Sequence, residues 1–216
     1  MIKMKKTFTV TAHTGCMGTK ANSIDSILKG FEIGADIIEF DLRFDNNGTP
    51  VLSHDDPKGG EVTLDEAFAA LAKCKDLKAN VDIKTVEAIE KIAPLAKEHG
   101  VLDRIFFTGV HDGFVEAVKT RSPEIEYYLN VGVASKWKQN EKYLQSLVEK
   151  VRNSGAVGIN FNKNKATKRL VNTFRKNGLL VSIFTVDRKR QMKKIISLLP
   201  DNITTRHPDE LIKIAE

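Results

Sequence analysis

Two acidic residues stand inside an apolar stretch of the sequence, IIEFDL at residues 37–42. Glu39 and Asp41 are two positions apart, and side chains alternate between the two faces of a strand, so both project from one face. A third acid, Asp82, lies in the later run NVDIK. Three converging carboxylates repel one another unless a cation lies among them, and oxygen ligands favour Mg²⁺ or Ca²⁺. The sequence therefore predicts a divalent metal, Mg²⁺ or Ca²⁺, on Glu39, Asp41 and Asp82.

Two histidines and a lysine occupy neighbouring positions. His13 ends the run TFTVTAH, His54 ends the short run PVLSH, and Lys84 shares the strand face of Asp82. Imidazole is well matched to proton transfer near neutral pH. A divalent cation together with Lys84 brings the charge of three carboxylates close to zero, so that an anionic phosphate can enter. This set suits phosphodiester cleavage, in which one histidine activates the attacking hydroxyl and the other protonates the leaving oxygen.

The rest of the sequence supplies the elements that position these residues. Eight short β-branched runs each precede a helical pattern, from TFTVTAH with SIDSILKGFEIG to DNITT with HPDELIKIAE. Eight such pairs in 216 residues predict an α/β fold, a (β/α)8 TIM barrel, rather than an open doubly wound sheet. No Gly-x-Gly-x-x-Gly motif follows a strand, which disfavours dinucleotide binding. We expect a single domain over residues 1–216, with its site at the C-terminal ends of the strands.

Helix ends are predicted at glycines, because a left-handed residue commonly terminates a helix. Gly34, Gly100 and Gly178 each close a periodic stretch. The stretch TVEAIEKIAPLAKEHG predicts a helix over residues 85–100.

The composition of the chain limits the kinds of partner and the compartment that we expect. The chain has 34 Lys and Arg against 28 Asp and Glu, a net charge of +6, and its basic residues lie on helical stretches typical of solvated faces, so no nucleic-acid partner is expected. Cys16 and Cys74 lack the spacing of a zinc site or a disulfide framework. No apolar run is long enough for a signal peptide or a membrane span, which predicts a soluble, cytoplasmic protein without stable membrane insertion. The oligomeric state is left open.

Several motifs in this order resemble the glycerophosphodiester phosphodiesterase family. The family's pattern runs His-Arg-Gly, Glu-Asn-Thr, Gly-Ala-Asp-x-Ile-Glu-x-Asp, then a Gly-x-Pro-Val strand that ends in His-Asp. This chain has HTG at 13, KANS at 20, GADIIEFD at 34 and GTPVLSHD at 48. The later stretches VTLDEAF, NVDIK, VSIFTVD and DNITTRHPDEL are similar to further family segments.

The resemblance implies a (β/α)8 barrel that hydrolyses a small-molecule phosphodiester with a divalent metal. Carried over position by position, it places the metal on Glu39, Asp41 and Asp82. His13 and His54 are then the acid–base pair, and Lys84 contacts phosphate.

Four departures from the family pattern concern the proposed site. The Arg after the first His is Thr14, the Glu of Glu-Asn-Thr is Ala21, the third metal Glu is Asp82, and the Trp near the seventh strand is Phe184. The stretch after His54 is also too short for the insertion domain that commonly caps the family's pocket.

Three further residues are candidates for substrate contact. Lys20 and Arg43 are the nearest cations that stand in for the missing Arg, and Arg43 has the strand parity of Asp41. Trp137 follows the fifth strand between Lys136 and Lys138, where it either contacts substrate or anchors the loop.

The residues leave the reaction open in two respects. The substrate is a glycerophosphodiester, a related lipid-derived phosphodiester such as a lysophospholipid, or a larger phosphodiester such as a cell-wall polymer. The alternatives to hydrolysis by this route are a related phospholipase D-like enzyme or lyase that forms a cyclic phosphate, and a non-catalytic barrel that only binds phosphate.

Overall fold

The computed structural model describes residues 7–137 and 139–216. Lys138, which neighbours Trp137 in the sequence, lies outside the described residues. Within the described ranges the chain forms nine strands and eight α-helices. The strands are β1 Thr9–Ala12, β2 Ile37–Phe44, β3 Pro50–Leu52, β4 Lys78–Ile83, β5 Ile105–Val110, β6 Tyr127–Asn130, β7 Gly158–Asn162, β8 Leu180–Phe184 and β9 Asn202–Thr205. The helices are α1 Ile24–Glu32, α2 Leu64–Lys73, α3 Ile92–Glu98, α4 Asp112–Arg121, α5 Glu141–Ser154, α6 Lys168–Lys176, α7 Lys189–Ile196 and α8 Pro208–Ala215.

Eight of the described strands are parallel and close into a barrel. The sheet order is β1-β9-β8-β7-β6-β5-β4-β2-β3, and an additional β1–β2 pairing completes the ring. The remaining strand, β3, pairs antiparallel with the end of β2, so that Phe44 lies opposite Pro50. The (β/α)8 TIM barrel predicted from the alternation of strands and helices is confirmed.

The strands divide their side chains between two environments. Apolar side chains such as Phe40 and Val81 are fully buried in the core that the helices cover. Polar side chains on alternate positions lie in the barrel interior, where Asn202 accepts a hydrogen bond from Thr11 Oγ1 (2.8 Å) and donates one to Ser182 Oγ (3.0 Å). This alternation is the parity that brings acids from neighbouring strands together.

Helix boundaries follow local chemistry. Ser23 caps α1, and Thr63 with Glu66 forms a capping box at α2. Gly34, Gly100 and Gly178 adopt positive φ angles of 80°, 65° and 74° after their helices, as predicted.

The helix predicted over residues 85–100 is shorter than expected. Regular α-helix begins only at Ile92, after a 3-10 turn at Ile89–Lys91. Pro94 explains the late start, because proline has no N–H to donate to the carbonyl four residues earlier and is tolerated only in the first turn.

The segment between β3 and α2 begins and ends at adjacent points. Leu52 N donates to Val62 O (2.8 Å), and Val51 forms an isolated antiparallel bridge with Thr63. Residues 53–61 therefore form a closed loop on the barrel rim.

No helix of the described residues is long and apolar enough to cross a bilayer.

Candidate active site

A cavity of ≈ 450 Å³ opens at the C-terminal ends of the barrel strands. Six of the residues predicted from the sequence line it: His13, Glu39, Asp41, His54, Asp82 and Lys84. Glu39 and Asp41 lie in β2 and Asp82 lies in β4, while the others follow β1, β3 and β4. The structure thus brings the proposed acids, histidines and lysine to one pocket.

The three carboxylates form a compact cluster. One oxygen from each of Glu39, Asp41 and Asp82 lies within 4.8 Å of the others. Asp41 and Asp82 are register partners across β2 and β4, which places their side chains next to each other. Glu39 and Asp41 are buried, with 6% and 4% of their surfaces exposed, and Asp82 is half-buried.

Each carboxylate is oriented by a neighbouring hydrogen-bond donor. Thr14 N donates to Glu39 Oε2 at 2.8 Å. Asn22 Nδ2 donates to Asp41 Oδ2 at 2.9 Å, and Thr108 Oγ1 donates to Asp82 Oδ1 at 2.8 Å. Donors of this kind fix the ligands of a metal before the ion arrives.

The cluster has an excess of negative charge. Burial raises the pKa of Glu39 well above its ordinary value, and the charges of Asp41 and Asp82 raise it further. Lys84 Nζ lies 2.7 Å from Asp41 Oδ1 and also contacts Asp82 Oδ2. Burial lowers the pKa of Lys84, but these two carboxylates raise it by more, so the net pKa is raised and the ammonium stays charged. When all three carboxylates are ionised, Lys84 balances one of their three negative charges.

This donor set fits a divalent cation. In protein sites Ca²⁺ has ligand distances of about 2.3–2.6 Å and Mg²⁺ of about 2.0–2.1 Å, so two oxygens on one ion are separated by at most about 4–5 Å. The spacing of the three carboxylates falls within that range. Glu39, Asp41 and Asp82 can therefore hold one ion together.

His13 is positioned by its own loop. Its Nδ1 donates to Thr14 O (2.8 Å), a contact that leaves Nε2 as the proton acceptor. Burial is the main cause that lowers its pKa below the ordinary value of 6.5, and the charge of Arg206 lowers it further. His13 is therefore neutral near pH 7 and able to take a proton.

His54 lies on the loop after β3 at the rim of the cavity. Its side chain is 69% exposed, and Nδ1 lies 2.9 Å from Asp55 Oδ1. Arg43 Nε donates to His54 O (2.9 Å), while Arg43 Nη1 donates to Asp56 Oδ1 (2.8 Å). Asp55 and Arg43 thus fix both the ring and the backbone of His54.

Three residues predicted to contact substrate do not line the cavity, namely Arg43, Lys20 and Trp137. Arg43 has the expected parity, but β2 extends beyond the barrel rim into the hairpin with β3, so its guanidinium reaches the 54–56 loop instead. Lys20 precedes α1, which begins at Ile24 rather than at Lys20, and it lines a separate groove with Gly60 and Glu61. The structure does not bring these two cations to the carboxylates, and phosphate contact by either stays a prediction.

Trp137 lies in a turn after β6. Its side chain is 45% exposed, and Lys136 Nζ lies 5.4 Å from the ring centroid. Trp137 O accepts a hydrogen bond from Asn140 N (2.7 Å), the residue that caps α5. The turn sits at the same end of the barrel as the cavity but does not line it.

Several residues of the site were not predicted. Asn22 lies in the motif KANS, whose asparagine matches the family pattern, and that agreement was the signal available in the sequence. His111 Nδ1 accepts a hydrogen bond from Gly113 N at the start of α4, and His111 also lines the cavity. Thr108 and Arg206 also line the cavity. Thr108 lies in none of the quoted motifs, and Arg206 lies in DNITTRHPDEL but has no role that the resemblance assigns.

A sequence profile of the Glycerophosphoryl diester phosphodiesterase family matches residues 13–78 and 61–210, which include every residue of the carboxylate cluster and both histidines. The chain belongs to this family. It is accordingly a phosphoric diester hydrolase by class.

Individual relatives agree with the family assignment over almost their whole length. A glycerophosphodiester phosphodiesterase of Caldanaerobacter subterraneus subsp. tengcongensis is 25% identical over 244 aligned residues, which cover 95% of this chain and 96% of the relative. A glycerophosphodiester phosphodiesterase of Bacillus altitudinis is 23% identical and covers 96% and 98%.

Solved structures share the fold. A putative glycerophosphodiester phosphodiesterase from Galdieria sulphuraria superposes with a TM-score of 0.80 at 20% identity, over 98% of this chain and 99% of that chain. An Oleispira antarctica phosphodiesterase in complex with the product sn-glycerol-3-phosphate superposes with a TM-score of 0.78 at 18% identity, over 95% of each chain.

The departures from the family pattern have clear positions in the structure. Thr14 is buried, its Oγ1 donates to Asn22 Oδ1 (3.2 Å), and the residue does not line the cavity. Ala21 is exposed, while Phe184 lines the cavity.

Proposed function

We propose that this chain is a metal-dependent phosphodiesterase that hydrolyses a glycerophosphodiester or a related, lipid-derived small-molecule phosphodiester. The observation that carries the proposal is the meeting of three carboxylates with His13 and His54 at one cavity. We include in the proposal that residues 1–216 act as one domain and that the reaction takes place in the cytoplasm, as the sequence predicts.

The metal site consists of Glu39, Asp41 and Asp82, with Mg²⁺ or Ca²⁺ as the ion. When bound, the ion supplies positive charge that stabilises the phosphoryl oxygens as they become more negative. Lys84 stays beside Asp41 and Asp82 and balances part of their charge. Asp82 is shorter than the Glu that the family pattern has at this position. Its Oδ1 accepts a hydrogen bond from Thr108 Oγ1, which holds the carboxylate in place.

The two histidines divide the proton transfers. His13 is neutral near pH 7 because burial lowers its pKa, so its Nε2 takes the proton of the attacking water. His54 lies at the exposed rim, where the leaving group exits, and Asp55 beside Nδ1 balances the charge of the protonated ring. We assign His13 as the general base and His54 as the general acid that protonates the leaving oxygen.

The rim favours no single leaving group. The closed loop of residues 53–61 is short, and the side chain of His54 is largely exposed, so the side of the cavity next to His54 is open to solvent. An open rim accommodates leaving head-group alcohols of different size, and a glycerophosphodiester and the lysophospholipid with the same head group release the same alcohol. The product complex of the Oleispira antarctica phosphodiesterase supports sn-glycerol 3-phosphate as the retained half.

Product analysis tests this function directly. The purified chain is incubated with glycerophosphocholine, glycerophosphoglycerol or a lysophospholipid, with Mg²⁺, Ca²⁺ or excess chelator, in water enriched in ¹⁸O. We expect metal-dependent release of a phosphomonoester that contains ¹⁸O, seen by mass and ³¹P spectra, and loss of the reaction in Glu39→Gln. A cyclic phosphate product would indicate the lyase instead, and substrate binding without turnover under every condition would indicate a non-catalytic barrel.

A further inference from the structure

The lining of the cavity includes a cation that the proposed chemistry has not used. Among the described residues, Lys84 and Arg206 supply the Lys and Arg side chains of the lining. Lys84 is held between Asp41 and Asp82. Arg206 lies on the other side of His13 from these acids, because β9 and β2 flank β1 on opposite sides.

Strand register places Arg206 beside the histidine loop. Ala12 of β1 pairs with Thr205 of β9, so the next residues, His13 and Arg206, leave the barrel at the same level. His13 N donates to Thr205 O (2.8 Å), and Met17 N donates to Arg206 O (3.0 Å). The 13–17 loop and Arg206 are therefore held together by their backbones.

Asp187 orients the guanidinium. Its Oδ1 accepts from Arg206 N (2.9 Å) and its Oδ2 from Arg206 Nη1 (3.0 Å). The hydrogen bonds that described residues make to the guanidinium engage Nη1, and the side chain is 48% exposed. Nε and Nη2 remain to bind an anion with two parallel hydrogen bonds, a geometry that suits phosphate oxygens.

We propose that Arg206 binds the phosphate group of the substrate, from β9, in place of the arginine that this chain lacks at position 14. Thr14 is turned toward Asn22 and offers no cation to the cavity. Arg206 supplies a cation instead, from the end of the adjacent strand β9 and level with His13. The phosphate then lies between the carboxylate site and the guanidinium. This inference rests on the proposed function for the identity of the anion.

Measurements of anion affinity distinguish phosphate binding by Arg206 from a purely structural role of this residue. Arg206→Met and Arg206→Lys are compared with Arg190→Met, which removes the same charge from the exposed surface of α7. Inorganic phosphate and sn-glycerol 3-phosphate are titrated calorimetrically at fixed ionic strength, with and without Mg²⁺, and Tm and the KM for the best phosphodiester are measured in parallel. We expect Arg206→Met to weaken anion binding and to raise KM at least tenfold, Arg206→Lys to have a smaller effect, and Arg190→Met to match the wild type.

The outcomes distinguish this inference from the proposed function. Unchanged phosphate affinity in Arg206→Met, with or without a lower Tm, would overturn the inference, whatever the activity of the wild type. If the wild type hydrolyses no phosphodiester but Arg206→Met loses phosphate affinity, the inference stands and the proposed function fails. Asp187→Asn serves if Arg206→Met does not fold: it keeps the guanidinium and removes the charge that orients it, so we expect anion binding to weaken by about threefold or more, and unchanged or tighter binding would overturn the inference.

Discussion

Asn22 and Asp41 form a reciprocal pair, in which Asn22 Nδ2 donates to Asp41 Oδ2 (2.9 Å) and Asp41 N donates to Asn22 Oδ1 (3.0 Å). The two bonds tie the loop before α1 to the middle of the carboxylate cluster. Asn22 also has a positive φ of 55°, a conformation that asparagine and glycine tolerate better than other residues.

Removal of the Asn22 side chain is therefore expected to weaken metal binding. Asn22→Gly accepts the same backbone conformation and deletes only the side chain. Loss of a residue that orients a metal ligand reduces metal affinity by about 10- to 100-fold, which isothermal titration with Mg²⁺ or Ca²⁺ measures. Asn47→Ala, on an exposed turn, is the matched control. Equal metal affinity in both variants would show that Asn22 does not orient Asp41.

Chelation and Asp41→Asn test the carboxylate site itself. Excess chelator is expected to abolish turnover, and Asp41→Asn is expected to lower metal affinity by tenfold or more, because the variant removes one of three negative charges. Glu116→Gln, exposed on α4, controls for the loss of a carboxylate elsewhere. Full turnover in excess chelator would contradict the metal requirement.

The pH dependence of turnover reports on the two histidines. A general base must be neutral, and burial lowers the pKa of His13. Activity is therefore expected to persist below pH 6.5 and to fall only at lower pH, where His13 becomes protonated. The general acid must carry a proton, which adds an opposing alkaline limb, so the profile is expected to be bell-shaped.

Substitutions of the two histidines test which limb of the pH profile each histidine produces. His13→Ala and His54→Ala are each expected to cost about 10²- to 10⁴-fold in turnover, whereas His99→Gln, outside the cavity, keeps both limbs. His54→Gln retains a hydrogen-bond donor without a titrating proton, and wild-type turnover in this variant would rule out proton transfer by His54.

Arg43 is expected to act through His54. Arg43→Met removes the donors to His54 O and Asp56, and we expect kcat to fall by about threefold to tenfold with the affinity for inorganic phosphate unchanged. Lys58→Met, in the same loop, controls for the loss of a charge. If phosphate affinity falls together with kcat, Arg43 contacts phosphate, as its parity with Asp41 predicted.

Gly109 is a position where the backbone itself supports the site. It has a φ of +77°, and a Cβ built there would lie 2.2 Å from Ile83 O and 2.8 Å from Asp82 Oδ1. Gly109→Ala is expected to lower stability by about 2 kcal/mol or more and to weaken metal binding by displacing Asp82. Gly132→Ala, where a Cβ meets nothing within 4 Å, is the control. A wild-type Tm in Gly109→Ala would contradict the clash.

The sequence predicts the parts of this protein that depend on periodicity. Alternation of strands and helices gives the barrel, and the two-residue spacing of Glu39 and Asp41 gives their common face. Arg43 has the same spacing, yet it contacts the 54–56 loop, because the length of β2 relative to the barrel rim is set by its pairing with β3. Arg206 and Thr108 escaped prediction for a related reason: their neighbours come from strands distant in sequence, and only register shows which side chains meet.

The loop that carries His54 leaves and rejoins the barrel at nearly one point, since Leu52 N bonds to Val62 O at 2.8 Å. When the ends of a loop are already joined, added length costs only about 0.6 kcal/mol for each doubling. A gene segment that encodes another domain can thus be gained or lost here without a change in strand register. For the proposed reaction, a domain inserted at this point would change the side of the cavity next to His54 and leave the carboxylates, His13 and Arg206 where they are.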